Sequence, residues 1–289
     1  MQRTRHRLPP WLKTRIPAGK RCPAMAAVLR RHALHSVCEE ARCPNIGECF
    51  DAGTVTFMIL GSVCTRNCGF CGVTAGRPES PDTDEPGRLA EVVEALGLSY
   101  VVITSVTRDD LPDGGAGIFA ASIRAVRERN PHCRVEVLIP DFQGDRNALA
   151  TVVEAAPFVL NHNLETVPRL YRRVRPQARY ERSLALLAVA KEMEPSLLTK
   201  SGLMVGLGEE EEEVYGVMAD LRSAGCDLFT IGQYLSPSRR HPPVKRFYSP
   251  GEFEAFAARG RALGFRGVEA GPLVRSSYHA ARQVAPPPS

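Results

Sequence analysis

The sequence predicts an α/β fold, a partial (β/α)6 TIM-like barrel with N-terminal and C-terminal extensions. Short apolar and β-branched runs alternate with helical patterns in units of roughly 30 residues, the length of a strand and its crossover helix. The runs are almost continuously apolar, as expected of parallel strands covered by helices. Six such units are two short of a complete eight-stranded barrel, so the predicted barrel is open or partial.

The predicted elements follow a cysteine-rich N-terminal segment. The predicted strands occupy residues 54–60, 100–106, 134–140, 158–164, 198–206 and 227–233. The predicted helices between and after them occupy residues 87–97, 118–129, 147–156, 178–193, 209–225 and 249–264. We interpret the acidic run Glu209–Glu213 as the start of a helix, because the positive end of the helix dipole favours negative charge there.

The predicted barrel divides the chain into three parts. We expect an N-terminal extension over residues 1–53, the barrel over 54–248 and a C-terminal extension over 249–289. In parallel barrels, the loops after the carboxyl ends of the strands build the active site. Polar runs occur at these positions and are expected to gather at one mouth of the barrel, at residues 104–117, 161–166, 199–202 and 232–238.

Composition and charge limit the classes of function. The 289 residues are 44% hydrophobic and 24% charged, which is sufficient to bury a core. No apolar stretch approaches the roughly 20 residues of a membrane span, and no secretion signal is recognisable, so we expect no membrane association and a cytoplasmic location. The net charge is +5, and with one Trp and 7% aromatic residues no nucleic-acid binding is expected.

Cysteine usage is the most informative feature of the sequence. The chain has nine cysteines, an odd number that argues against a disulfide framework. Six of them form two triplets, the first spaced C-x4-C-x5-C and the second C-x3-C-x2-C. The members of the triplets are Cys38, Cys43 and Cys49, and Cys64, Cys68 and Cys71.

Each triplet supplies three thiolates without a fourth nearby. Thiolates gathered in one place need a compensating cation, which in a reducing compartment is usually a metal. Neither spacing matches the paired ligands of a structural zinc site, whereas three cysteines leave one iron of a [4Fe–4S] cluster open to a substrate or cofactor. Structural zinc and buried free thiols remain the alternatives. We expect the three other cysteines to be inert thiols: Cys22, Cys133 and Cys226.

Several motifs resemble a known family. The second triplet, placed after the first strand, resembles the radical S-adenosylmethionine (SAM) superfamily, in which Phe70 matches an aromatic position beside the adenine. Together with the first triplet, four further motifs resemble the lipoyl synthase family: VTRDDLPDGGA, NHNLETV, TKSGLMVGLGE and RSSYHA. The resemblance extends from about Leu8 to Ala281, and one departure is Phe50, where the family pattern has Trp.

The resemblance implies two [4Fe–4S] clusters and a reaction. Cys64, Cys68 and Cys71 would hold the cluster whose open iron binds SAM. Cys38, Cys43 and Cys49 would hold an auxiliary cluster that is itself the sulfur source, with Ser276 or Ser277 as its fourth ligand. Two SAM molecules would be used to insert sulfur at C6 and C8 of a protein-bound N6-octanoyl-lysine, forming the lipoyl group. The residues expected to contact SAM are Phe70, Asn161, Asn163, Glu165 and Lys200.

The resemblance also implies partners. The substrates would be octanoylated lipoyl carrier domains of 2-oxoacid dehydrogenase E2 subunits and of the glycine cleavage H protein. A low-potential electron donor and cluster-assembly proteins would be needed as well. We expect the basic segments 172–176 and 238–246 to dock the acidic carrier domain.

Two alternative functions remain open at this stage. The first is another radical SAM enzyme that inserts sulfur, similar to biotin synthase, which would share the second triplet but has no use for the first triplet paired with RSSY. The second is a non-catalytic electron-transfer or metal-sensing protein, which would not need two incompletely ligated clusters on a barrel of this size.

Overall fold

The computed structural model describes residues 8–13, 21–41, 43–51 and 54–284. Within these ranges, an eight-stranded sheet has the strand order β1-β2-β5-β6-β7-β8-β9-β10, and β3 pairs with β4 in a separate small sheet. The strands are β1 (His35–Ser36), β2 (Thr56–Ile59), β3 (Val63–Cys64), β4 (Thr74–Ala75), β5 (Tyr100–Ser105), β6 (Arg134–Leu138), β7 (Val159–Asn161), β8 (Leu198–Val205), β9 (Leu228–Gln233) and β10 (Gly267–Gly271).

Helices connect the strands of the main sheet. The helices are α1 (Arg21–Arg31), α2 (Val37–Glu40), α3 (Ile46–Asp51), α4 (Glu85–Ala95), α5 (Ala116–Arg129), α6 (Arg146–Glu154), α7 (Tyr171–Val174), α8 (Tyr180–Met193), α9 (Glu211–Ser223), α10 (Pro250–Ala262) and α11 (Ala280–Gln283). Three short 3-10 turns occupy Pro10–Leu12, Phe142–Gly144 and Pro168–Leu170. None of the helices in the described ranges is long and apolar enough to cross a membrane.

Pairing in the main sheet is parallel from β2 to β10, and only the edge strand β1 runs antiparallel to its neighbour. Successive strands lie side by side in chain order, as in a (β/α) barrel. The edge strands β1 and β10 do not pair with each other in the described sheet, so the barrel is incomplete. The predicted fold class is confirmed, and all six predicted strands are present.

A seventh parallel strand, β10, lies beside β9 and was not predicted. Its sequence, Gly267–Gly271, is bounded by glycines and carries a glutamate, and all five residues are partly exposed. It therefore lacks the continuous apolar character that identified the other strands. β10 is parallel to β9, so its carboxyl end lies at the same edge of the sheet as those of the other barrel strands. The segment after β10, which belongs to the predicted C-terminal extension, therefore begins at this edge.

Local signals explain where the helices begin. Glu210 and Glu213 form a capping box at the start of α9, and Glu211, Glu212 and Glu213 lie in its first turn. The prediction that the acidic run opens a helix is therefore confirmed. Ser249 and Glu252 form a second capping box at the start of α10.

Polar side chains fill the barrel below its mouth. Side chains alternate along a strand, so Glu136 shares a face of β6 with Leu138, and Lys200 shares a face of β8 with Gly202. Leu138 and Gly202 line the cavity described below, whereas Glu136 and Lys200 lie one inward-facing layer closer to the amino ends of the strands. The side chains of Glu136 and Lys200 are fully buried.

Candidate functional site

A cavity of about 460 Å³ opens at the carboxyl ends of the barrel strands. This volume lies in the range of small-molecule sites. The predicted site residues that line it are Cys38, Cys43, Cys64, Cys68, Phe70, Cys71, Asn163, Glu165, Ser276 and Ser277. Five of the six triplet cysteines, both serines and three of the five expected SAM contacts thus line one cavity.

The second triplet lies on a loop that follows β2. The pairing of Val63 with Thr74 and of Cys64 with Ala75 closes the loop at its base. The Cys64 sulfur accepts hydrogen bonds from the backbone N–H groups of Arg66 and Thr107, at 3.4 and 3.3 Å. Such donors favour a sulfur that carries negative charge.

Burial raises the pKa values of Cys68 and Cys71 in the second triplet. Together with the charges of the neighbouring Cys68 and Cys64, it raises the pKa of Cys71 to about 12. Burial also raises the pKa of Cys68, although the positive charge of Arg175 opposes this. Because the charges of these sulfurs act on one another's pKa values, the three sulfurs lie close together.

Arg66 joins the loop of the second triplet to the rest of the barrel, and its side chain is 5% exposed. Arg66 donates to both oxygens of Asp109, at 2.6 and 2.8 Å. It also donates to Asp141 at 2.6 Å, and Arg182 donates to the other oxygen of Asp141 at 2.9 Å. Burial alone would raise the pKa of Asp141, but the hydrogen bonds and charges of these guanidinium groups hold it well below its usual range.

Two further segments pack against the same loop. The Gly69 N–H donates to the Val174 carbonyl at 2.8 Å, and a Cβ at Gly69 would lie 3.1 Å from the Arg173 carbonyl oxygen. On the other side, His241 donates from Nε2 to the Cys71 carbonyl at 2.9 Å. The two basic segments singled out in the sequence therefore meet at this loop.

The first triplet lies on α2, α3 and the turn between them. Burial raises the pKa of Cys38 to about 11 and that of Cys49 to about 12, and the sulfurs of the triplet influence one another. Cys38 and Cys43 line the cavity, whereas Cys49 is not part of the cavity wall.

Asn163 and Glu165 form a polar corner of the cavity. The Asn163 amide donates to Glu165 at 3.0 Å, whereas its carbonyl oxygen, Oδ1, has no hydrogen-bond partner among the described residues. Burial raises the pKa of Glu165, against the lowering influence of Arg175. Glu165 has a φ of 68°, a left-handed conformation that is costly for a residue with a side chain and is typical of functional sites.

The structure does not bring Asn161 and Lys200 into the cavity wall. Both contact Glu136 instead, Lys200 at 2.8 Å and Asn161 at 3.3 Å. Of the five expected SAM contacts, Phe70, Asn163 and Glu165 thus line the cavity, whereas Asn161 and Lys200 lie in the layer below it, and their contact with SAM stays a prediction.

Two arginines in the cavity wall were missed as site residues. Arg175 lies in the basic segment that we expect to dock the carrier domain, yet it is 9% exposed and donates to the carbonyls of Asn163 and Leu164 at 2.8 and 3.1 Å. Arg275 precedes the two serines, and the charges of Cys43 and Glu165 act on it while burial lowers its pKa. Because Arg275 directly precedes the two serines of RSSY, the sequence could have indicated that it belongs to the site. Nothing in the sequence indicates that Arg175 is buried.

The cysteines outside the triplets lie away from the cavity wall. Cys133 and Cys226 are buried, and burial raises their pKa values to about 11 and about 12. Cys22 is partly buried on α1. The raised pKa values make the lone thiols of Cys133 and Cys226 poor nucleophiles.

The donor set suits iron–sulfur clusters. Within the described ranges, no group of three or more Cys, His, Asp or Glu is placed to hold a single metal ion. The two sets of three thiols instead match clusters with one iron free of cysteine, and the unpaired Oδ1 of Asn163 offers an acceptor to a cofactor amine. The residues present therefore fit two such clusters and SAM.

Comparison with known proteins agrees with this geometry. A model of the radical SAM superfamily matches residues 58–221, and a model of the N-terminal domain of lipoyl synthase matches residues 1–43. A lipoyl synthase of Rubrobacter xylanophilus is 58% identical over 283 residues, which cover 98% of this chain and 88% of that protein. A lipoyl synthase of Syntrophotalea carbinolica is 55% identical over 277 residues, 96% of this chain and 90% of that protein.

Solved structures share the fold at low sequence identity. HydG, a maturase of the [FeFe]-hydrogenase, superimposes with a TM-score of 0.59 at 16% identity, over 73% of this chain and 50% of that one. The coproporphyrinogen III oxidase HemN from Escherichia coli, a radical SAM enzyme, gives a TM-score of 0.51 at 16% identity, over 72% and 53%. Sequence, cavity and relatives agree: the chain belongs to the lipoyl synthase family of the radical SAM superfamily.

Proposed function

We infer that this chain inserts two sulfur atoms, at C6 and C8, into an octanoyl group carried on a lysine of another protein. The observation that supports this most is one cavity lined by cysteines of both triplets and by both serines of RSSY. A biotin-synthase-like enzyme or an electron-transfer protein would have no use for this combination, and the family assignment argues against both.

We propose that each triplet holds one [4Fe–4S] cluster, Cys64, Cys68 and Cys71 the first and Cys38, Cys43 and Cys49 the auxiliary one. When bound, the clusters and SAM supply the electron, the hydrogen-abstracting radical and the sulfur. The chain must keep these groups close together and dry. Because burial raises the pKa values of Cys49 and Cys71 to about 12, cluster binding has to release their protons at neutral pH.

Ser276 or Ser277 is proposed as the fourth ligand of the auxiliary cluster. A hydroxyl oxygen is a hard ligand and matches this iron less well than a thiolate does. The iron that it binds is therefore the one most easily released when sulfur leaves the cluster. Both serines lie in the cavity wall, and the choice between them stays open.

Asn163, Glu165 and Phe70 are proposed to bind SAM. The free Oδ1 of Asn163 can accept a hydrogen bond from the SAM amino group, and the Glu165 carboxylate can accept one from a hydroxyl or amine. Phe70 can pack against the adenine ring. The arginine beside them, Arg175, holds the backbone of this corner in place.

Apolar side chains of the cavity are proposed to hold the fatty chain. Met58, Leu138 and Met204 lie in the wall between the strand ends. They exclude water, which protects a carbon radical from reacting elsewhere. At each substituted carbon one hydrogen atom leaves and one sulfur atom enters, and one SAM molecule is consumed.

We propose that an acidic carrier domain docks on the basic segments that meet at the loop of the second triplet. Arg172, Arg239 and Arg240 lie exposed on these segments. The expected carriers are the 2-oxoacid dehydrogenase E2 subunits and the glycine cleavage H protein, and a low-potential electron donor and cluster-assembly proteins complete the partners. The free cysteines point to a reducing compartment, for which we propose the cytoplasm.

The test is anaerobic purification followed by iron and sulfide analysis and an activity assay. About eight iron and eight sulfide per chain are expected from two cubes. An octanoyl-lysine peptide incubated with the protein, SAM and a reductant should gain two sulfur atoms by mass spectrometry. Stoichiometric zinc, or a peptide that stays unmodified while SAM is cleaved, would contradict the proposal.

A matched variant separates the two triplets. Cys43→Ala should retain about four iron, since it removes one ligand of the auxiliary cluster, and should still cleave SAM but transfer no sulfur. Cys22→Ala serves as the control because Cys22 lies on α1 and outside the cavity wall, and it should leave both iron content and sulfur transfer unchanged.

A further inference from the structure

The segment that carries the two serines crosses the cavity as a strap. We call residues 272–279 the C-terminal strap; it leaves β10, and its residues 274–277 line the cavity. Hydrogen bonds within the strap form local turns, such as the bond from the Tyr278 N–H to the Arg275 carbonyl at 2.9 Å, and the Gln233 N–H donates to the Pro272 carbonyl at 3.4 Å where the strap leaves β10. These turns shape the strap, but they do not determine where it lies relative to the cysteines.

The first end of the strap is held by Asn45. The Asn45 side-chain amide donates to the Leu273 carbonyl at 2.6 Å, across 228 positions of sequence, and Asn45 is 3% exposed. Gly232 fixes the same end against the sheet, because a Cβ at this position would collide with the Val274 carbonyl oxygen. This end of the strap is therefore buried and has little room to move.

The second end of the strap is held by Glu48. The Tyr278 hydroxyl donates to Glu48 Oε1 at 2.9 Å, and His279 Nε2 lies 3.4 Å from the same oxygen. Arg282, which can only donate, lies 3.3 Å from His279 Nδ1. Neutral His279 therefore carries its hydrogen on Nε2, facing Glu48.

Backbone conformation explains how two side chains reach one carboxylate. The rings of Tyr278 and His279 stack at 4.0 Å with an interplanar angle of 16°. Neighbouring side chains in an extended chain point to opposite sides. His279 has a φ of 50°, a left-handed conformation that folds it beside Tyr278. This costly conformation is what the contact with Glu48 requires.

We propose that Asn45 and Glu48 are positioning residues that dock the C-terminal strap against the first triplet. Both belong to the turn and helix that carry Cys43 and Cys49, so one short segment supplies thiols and also fixes the serines that complete the site. The serines lie between the two held points, Leu273 and Tyr278. The inference rests on the proposed function only in taking one serine as a cluster ligand.

The two ends of the strap differ in exposure, so one end can open to water more easily than the other. Asn45 is buried, whereas the Glu48 side chain is 56% exposed and that of His279 is 31% exposed. The contact at Glu48 can therefore open to water while the end at Leu273 stays in place. A serine released in this way would free its iron without unfolding the barrel.

Hydrogen exchange on the cluster-free full chain tests the docking independently of iron. Glu48→Ala should speed exchange of the backbone amides of Tyr278 and Ala280 by about tenfold, the effect of losing one hydrogen bond to a charged group. Tyr278→Phe, which keeps the stacked ring, should do the same. Glu48→Gln should restore most of the protection because its amide oxygen still accepts from Tyr278.

Glu40→Ala is the matched control. Glu48 is adjacent to Cys49, and Glu40 similarly lies two residues from Cys38 and 3.4 Å from a histidine, His35, but among the described residues it makes no hydrogen bond or ion pair with the strap. If exchange in Glu48→Ala equals that in Glu40→Ala, the docking role is wrong.

Iron release gives a second readout on the loaded protein. In a chain that lacks the second triplet (Cys64→Ala, Cys68→Ala, Cys71→Ala), a chelator should remove iron about tenfold faster after Glu48→Ala than after Glu40→Ala. Equal rates in the two variants would overturn the inference. If the parent chain holds no iron at all, the proposed function fails, and the hydrogen-exchange result still decides the role of the strap.

Discussion

Lys200 donates to Glu136 at 2.8 Å inside the barrel, and both side chains are fully buried. Glu136 also accepts from the Tyr100 hydroxyl at 2.6 Å and from the Asn161 amide at 3.3 Å. The carboxylate is thus satisfied by one cation and two neutral donors. An ionic layer closes the barrel below the cavity and keeps its floor in place.

The first prediction concerns this layer. Lys200→Met leaves a buried carboxylate without its cation, so we expect a loss of about 3–5 kcal/mol in the free energy of unfolding. The double variant Glu136→Leu with Lys200→Met removes both charges and should recover most of that loss. Urea denaturation of the cluster-free chain measures both.

A binding assay separates this role from a ligand contact. SAM affinity of the reconstituted double variant should remain near that of the parent, whereas Glu165→Gln should lower it. A double variant that regains stability yet binds SAM tenfold more weakly would show that Lys200 contacts the cofactor after all.

The cysteine pattern was the part of the site that the sequence could predict, because thiol spacing reflects the chemistry of a cluster directly. The sheet was predictable for a similar reason: continuous apolar runs mark strands covered on both faces. The positions of Asn161 and Lys200 were not predictable, since a shift of two residues along a strand moves a side chain from the cavity to the layer below.

Contacts between distant segments could not be predicted from the sequence either. Nothing local marks Arg175 as buried within a basic run, or pairs Asn45 with Leu273. Strand β10 was missed because glycines and a glutamate replace the apolar run. Each of these depends on contacts between distant segments, which override local preferences.

The second prediction concerns Arg66, which joins the loop of the second triplet to Asp109 and Asp141. Arg66→Lys keeps the charge but loses the planar fork that reaches both carboxylates. We expect the variant to retain only the auxiliary cluster, with iron falling from about eight to about four per chain. Iron analysis after anaerobic reconstitution measures the loss.

The control for this variant is Arg169→Lys, which alters an exposed arginine paired with Glu213 away from the cysteine loop. It should retain both clusters. If Arg66→Lys also keeps both clusters and its rate of SAM cleavage, the loop does not depend on this contact.

The third prediction concerns carrier docking. Reversing the charge in Arg172→Glu should weaken binding of an acidic carrier domain by roughly fivefold at low salt, and the difference should shrink as salt increases. Arg146→Glu is the control, because it changes another exposed arginine, on α6, that pairs with Glu192. Titration calorimetry at two salt concentrations measures both. Equal affinities for the two variants at low salt would rule out this docking surface.

The fourth prediction concerns pH and His162, which is buried beside the cavity. Its Nδ1 lies 2.9 Å from the Ile139 carbonyl, which can only accept, and its Nε2 lies 2.9 Å from the Ser183 hydroxyl. The neutral ring therefore donates from Nδ1 and accepts at Nε2. Burial, assisted by the charge of Arg175, lowers the pKa of His162 to about 4.

The direction in which stability changes with pH follows from the pKa of His162 in the folded and in the unfolded chain. An unfolded histidine has a pKa of about 6.5, so between pH 6.5 and pH 4 the unfolded chain binds a proton that the folded chain excludes. Stability from this residue is fully present above pH 6.5 and falls as the pH drops towards 4. His162→Gln cannot titrate, so the parent should lose about 2 kcal/mol more than this variant between pH 7 and pH 5. Urea denaturation at both pH values measures the difference, with the exposed His132→Gln as the control, and parallel pH profiles for parent and His162→Gln would show that the imidazole is protonated in the folded chain as well.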